Sequence, residues 1–178
     1  MKIEPISEQQ QQQVIDLTMS FIQRAGRFYE RQFKIIPVLF DLSGRASGMY
    51  CIKARKKYIR YNPYLFAKYY DDSLSDTIPH EVAHYISDEL YGLKNIKPHG
   101  QQWKSVMQLF GVTAKATGNY DLTGIPTRQH KRINYHCACD TYLFTTKRHN
   151  QVVRGQSNYA CRKCGEILML TPNTEQII

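Results

Sequence analysis

No stretch of this 178-residue chain approaches the roughly 18 to 20 consecutive apolar residues needed to cross a bilayer. Its first residues, Met1 to Gln13, are polar and glutamine-rich, without the basic start and apolar run of a secretory signal. Acid is also scarce: 15 Asp and Glu stand against 24 Lys and Arg, for a net charge of +9. These absences argue against a membrane protein or an exported one. The expectation is a soluble, monomeric, cytoplasmic protein. Charge excess speaks to partners rather than to fold, and nucleic acid is the first candidate. A basic surface with no specific partner is the plainer alternative. With 42% apolar residues, the chain can build one ordinary core with a small appendage.

Periodicity organises the first two thirds. Val14, Leu17, Phe21, Ala25 and Phe28 share one face of a helix expected over residues 8–31. Strands are expected at 36–42, 49–52 and 58–61, with Lys53 to Lys57 as a basic connection. Asn62-Pro63 suits the start of a short helix over 64–70. A longer helix over 74–91 carries Ile78, Val82, Ile86 and Leu90 every four residues, and Gly92 stops it. A third, over 100–110, presents Trp103, Val106, Met107 and Phe110. Residues 113–133 lack periodicity and read as a linker or an arm over the core. The expected division is a core with linker over 1–133, a small β module over 134–172 and a tail over 173–178.

His80-Glu81-Val82-Ala83-His84 is an H-E-x-x-H pattern on the longest of these later helices. Positions i and i+4 share a helix face, so both imidazoles can address one ion. A glutamate at i+1 stays near enough to take a proton from a metal-activated water. A catalytic zinc usually has three protein ligands and one open position. His99 is the best third candidate. It follows Pro98 at the start of the next helix, and seven residues after His84 rise only about 10 Å, a distance the loop can retrace. His130, His136 and His149 are weaker alternatives.

Cys137, Cys139, Cys161 and Cys164 form two close pairs 21 residues apart. Four thiolates can close a structural zinc site, which a module this small needs as a staple. His136 or His149 could replace one thiolate, and disulfides remain an alternative. Cys51 reads as a small buried apolar residue. Between Arg128 and Cys164 lie Arg128, Lys131, Arg132, Lys147, Arg148, Arg154, Arg162 and Lys163, with Asp140 the one acid. Tyr135, Tyr142, Phe144 and Tyr159 are interleaved, either to stack on unpaired bases or to form the module's own core. A second basic cluster, Lys53 to Arg60, reads as a solvated loop.

Thr77-Ile78-Pro79-His80-Glu81-Val82-Ala83-His84, followed by Pro98-His99-Gly100-x-x-Trp103, resembles the SprT family. So does Cys137-Ala138-Cys139, then Lys147-Arg148-His149-Asn150, then Cys161-x-x-Cys164-Gly165. The resemblance implies an α+β, zincin-like metalloprotease core, with helices packed on a small antiparallel sheet. It implies zinc held by His80, His84 and His99, with Glu81 as the catalytic residue. The eukaryotic relatives are the Spartan proteases, which degrade proteins crosslinked to DNA. The expected function is therefore a zinc metalloendopeptidase acting on protein substrates, with DNA contact through a zinc-ribbon-like C-terminal module. The alternative is a non-catalytic, zinc-containing nucleic-acid-binding protein.

Overall fold

The computed structural model describes residues 2–115, 119–127 and 131–177, with side chains as far as Pro172. Arg128 and His130 lie outside the described residues. The chain divides into two compact units, Met1–Thr127 and Arg128–Ile178, and both mix helices with a small sheet.

In the first unit, α1 (Glu8–Phe28) starts at a capping box, with Ser7 and Gln10 each bonding the other's backbone N–H. It stops at Phe28, three residues short of the expected end, because Glu30 turns left-handed and the Arg31 N–H reaches back to the Gly26 carbonyl. That leaves Phe28 63% exposed rather than in the core. The sheet comprises β1 (Val38–Leu39), β2 (Gly48–Lys53) and β3 (Lys56–Tyr61), in the order β1-β3-β2. It is mixed rather than antiparallel, since β1 runs parallel to β3. β1 is shorter than expected: Pro37 has no N–H to donate and offers only its carbonyl, to Ile59. Lys53 and Lys56 lie within the β2–β3 hairpin rather than in a loop, because Ala54 and Arg55 alone make the turn.

Asn62 then caps α2 (Pro63–Lys68), accepting the N–H groups of Tyr64 and Leu65. A helical turn, α3 (Tyr70–Asp72), leads into a π turn over Ser73–Thr77 and then α4 (Ile78–Tyr91). The Ile78 N–H bonds the Ser73 carbonyl, one residue wider than an α-helical bond. Pro79 follows without an N–H, so the helix loses nothing where the ladder is reset. Beyond Gly92, whose φ is +75, a 3₁₀ turn and a loop lead to α5 (Gln101–Leu109). Ile78, Val82 and Ile86 of α4 and Trp103, Val106 and Met107 of α5 share one buried core with Val14, Ile22, Ile59 and Tyr61. Residues 119–127 run back over this unit: the Gly124 carbonyl accepts from Ile3, and Asp121 pairs with Lys68 at 2.8 Å.

The second unit is an antiparallel sheet in the order β5-β4-β6, from β4 (Lys131–His136), β5 (Thr141–Thr145) and β6 (Met169–Ile177). Its register shifts between Ile133 and Tyr135, opposite the stretch of β6 holding Pro172. A helix unforeseen in the sequence, α6 (Thr146–Val153), follows β5 directly, capped by the Thr145 hydroxyl on the Arg148 N–H. Among the described residues, no helix is long and apolar enough to cross a membrane.

Candidate metal centre

His80 and His84 occupy successive turns of α4, and their Nε2 atoms are 3.2 Å apart. His99 does not open the following helix. It sits just before it, in a turn closed by the Gly100 N–H on the Lys97 carbonyl at 2.9 Å. Pro98 and His99 take the two central positions, and His99 has φ +54. A positive φ at the second central position, after proline, suits a type II turn, where glycine or asparagine is usual. Gly100 is constrained as well: a Cβ there would lie 2.8 Å from the Lys97 carbonyl oxygen. The strained turn brings His99 Nε2 to 3.0 Å from His80 Nε2 and 3.1 Å from His84 Nε2.

Three ring nitrogens in a near-equilateral triangle fit one face of a tetrahedral site. Zn–N bonds of about 2.0 to 2.1 Å place two ligand nitrogens about 3.3 Å apart in such a site. Protonation state agrees. Burial and neighbouring His99 hold His80 down at about 4, and burial with the other two histidines holds His84 at about 3. Burial also lowers His99. All three are therefore neutral at pH 7, as metal ligands must be. His80 also hydrogen-bonds the Lys115 backbone.

Trp103 lies beneath all three rings, with centroid distances of 4.8 Å to His80, 5.6 Å to His84 and 4.7 Å to His99. Its indole N–H donates to the His80 carbonyl at 3.2 Å. In the sequence Trp103 falls on a core face and in the Pro98-His99-Gly100-x-x-Trp103 motif, four residues after His99.

Glu81 is buried, and burial lifts its carboxyl to about 7 against the pull of one hydrogen bond from backbone. That bond is the Tyr50 N–H donating to Oε2 at 2.7 Å. All of β2 pairs with β3; counted back from the Lys53–Lys56 pair that closes the two-residue turn, hydrogen-bonded positions alternate, so Met49, Cys51 and Lys53 bond β3 while Gly48, Tyr50 and Ile52 turn their peptide groups outward. Glu81 thus engages the free edge of the sheet. Gly48 makes room for it: a Cβ there would stand 2.6 Å from Glu81 Cγ. The Tyr50 hydroxyl is held by Asp88 at 2.7 Å, and Asp88 also pairs with Lys57 at 2.5 Å. Gly48, Thr77, His80, Glu81, Lys115 and Tyr120 line a cleft of about 440 Å³.

In the second unit, the Sγ atoms of Cys137, Cys139, Cys161 and Cys164 lie within 4.8 Å of one another, and all four thiols are free. Cys137–Cys139 and Cys139–Cys161 are each 3.6 Å apart, near the roughly 3.8 Å that Zn–S bonds of about 2.3 Å imply. His136 and His149 are engaged elsewhere, by Thr171 and Tyr135. Tyr142 bonds Cys161 at 2.9 Å. Tyr135 and Phe144 are buried and stacked at 4.2 Å, so those two rings form the unit's core and are closed to bases. Lys147, Arg148, Arg154, Arg162 and Lys163 are exposed. Cys51 is half-buried rather than buried.

The SprT-like family profile matches residues 18–130. The chain belongs to the SprT-like family. Among its SprT relatives, Protein SprT of Vibrio parahaemolyticus is 36% identical over 84% of this chain and 87% of its own length. Protein SprT of Shewanella oneidensis is 31% identical over 90% of this chain and 99% of its own. Protein SprT of Pseudomonas savastanoi pv. phaseolicola is 34% identical over 85% and 90%. No solved structure gives a significant match to this SprT-like chain.

Proposed function

We propose that this protein is a zinc-dependent endopeptidase with a zincin-like core, and that Glu81 is its general base. The observation carrying the reading is three histidine ring nitrogens meeting within 3.2 Å of one another, two of them from the α4 turns that also carry the buried Glu81 carboxyl. A bound zinc would supply Lewis acidity and an acidified water. His80, His84 and His99 would hold the metal. Glu81, its carboxyl raised to about 7, takes the proton of the attacking water and passes it to the leaving amine. The Tyr50 N–H orients that carboxylate. The outward peptide groups of Gly48 and Ile52 offer an edge on which an extended substrate can lie as an added strand. A tightly folded substrate would not fit there.

The four cysteines would hold a second, structural zinc, and the exposed cations around them bring the peptidase to DNA and to proteins bound or crosslinked to it. The test is cleavage, or self-cleavage, with and without DNA. Glu81→Gln should keep its zinc and lose cleavage. Undiminished cleavage in that variant removes Glu81 as the base; absence of cleavage in the parent under every condition favours the non-catalytic reading.

A further inference from the structure

Residues 1–127 carry 16 Lys and Arg against 12 Asp and Glu. The β2–β3 hairpin holds five of those cations, Lys53, Arg55, Lys56, Lys57 and Arg60, and no acid. The remainder of the unit has 11 cations against 12 acids, so its entire positive excess sits on one hairpin. Two of the five are neutralised locally, Lys57 by Asp88 and Glu89 and Arg60 by Asp41. The other three are exposed at the tip, where among the described residues no hydrogen bond or ion pair engages them.

Two further features of the tip act against stability. Lys53 and Lys56 are directly paired across the strands, and like charges at opposed positions repel. Ala54 and Arg55 sit at φ +49 and +64, the left-handed positions of a turn that Asn-Gly would fill with less strain. A charge pair that repels and an arginine in glycine's place are local costs that an anion at the tip would offset. Lysine and arginine supply donors only, matching phosphate oxygens, which only accept. The turn has no aromatic ring and no acceptor side chain with which to read a base.

We propose that the β2–β3 hairpin tip is a second nucleic-acid contact, gripping the phosphodiester backbone through Lys53, Arg55 and Lys56 without regard to sequence. It lies on the unit that carries the histidine site and is separate from the cations of residues 128–178. Its test does not depend on cleavage.

Binding of the zinc-loaded full chain to a fluorescein-labelled 20-nucleotide oligothymidine and to a 20-base-pair duplex can be followed by anisotropy over a range of salt. In the combined variant Lys53→Gln, Arg55→Gly, Lys56→Gln, the log–log salt slope should become shallower by about two on the oligothymidine and by nearly three on the duplex, and affinity for the oligothymidine at 0.1 M salt should fall about 100-fold. Arg55→Gly alone should weaken binding about five-fold while its melting temperature holds or rises, since glycine relieves the left-handed strain. That single variant keeps the test open if the triple variant folds poorly. Unchanged slope and affinity in Arg55→Gly would overturn the proposal, as would failure of the parent to bind either oligonucleotide. Loss of binding to phosphatidylserine vesicles or polyglutamate, with DNA binding intact, would overturn it in favour of another polyanion.

Discussion

Gly48→Ala is the sharpest probe of how Glu81 is held. The added methyl would lie 2.6 Å from Glu81 Cγ and 2.9 Å from both Glu81 Oε1 and Thr77 Cγ2. The closest of the three, Cγ, is mid-chain rather than the far end of a flexible side chain, and α4 packs directly on the sheet. Two responses are open. If β2 moves away, overpacking costs roughly 1–3 kcal/mol. If Glu81 swings aside instead, it gives up the Tyr50 N–H, a hydrogen bond to a charged group worth roughly 1.5–3 kcal/mol. Either route sets the loss near 2 kcal/mol, a fall in melting temperature of roughly 4–10 °C for a unit of this size. Displacing a catalytic group by an ångström costs about 10²-fold in rate. Zinc content should be unchanged, because the clash involves Glu81 and Thr77 and none of the three histidines. The assay pairs a cleavage time course with a melt and metal analysis. Cleavage at the parent rate would refute the argument. Loss of zinc would show that the contact acts through the histidines instead.

Metal-free Glu81→Gln should reveal the buried carboxyl through pH. Its folded value of about 7 exceeds the ordinary 4.5, so the folded protein keeps a proton that the unfolded chain has released. That stabilisation is whole below pH 4.5 and is lost as pH rises through 7, a change of roughly 3 kcal/mol. The permanently neutral glutamine variant should therefore melt higher than the parent above pH 7 and match it near pH 4.5; parallel pH curves would contradict this. Trp103→Phe removes the N–H that reaches the His80 carbonyl together with part of the ring beneath the three histidines, and should weaken zinc roughly 10-fold in a chelator competition. Cys161→Ser should lower zinc from about two ions to about one and abolish the melting transition of residues 128–178, since structural zinc contributes about 10–16 kcal/mol to such small modules. The histidine site should keep its ion in that variant.

Much of the site was legible because α-helical spacing is rigid. His80 and His84 four apart leave little freedom, and a short return loop after Gly92 confines where His99 can lie. Local side-chain chemistry also announced the caps at Asn62 and Gly92. What stayed hidden was carried by backbone. The Tyr50 N–H reaches Glu81 whatever side chain stands at position 50. The π turn before Pro79 is a hydrogen-bond shift without a composition of its own. The hairpin tip was obscured because Ala54-Arg55 is a costly turn sequence, so five cations looked like a loop. α6 was missed because it is polar on most sides, with no buried residue to mark its period.

The outward edge of β2 has a second meaning. An exposed strand with free peptide groups is a template for any other strand, including one from a neighbouring copy of the same chain. Here its central donor is already satisfied by a carboxylate borne on a buried helix. A strand docking at Tyr50 must displace the Glu81 carboxyl from that N–H, and a casual partner gains too little from pairing to do so. The side chain proposed as the base therefore also guards the edge against self-association. Glu81→Ala, which clears the carboxylate entirely, would leave that donor bare, and the loss would be felt in colloidal stability before any question of turnover arose.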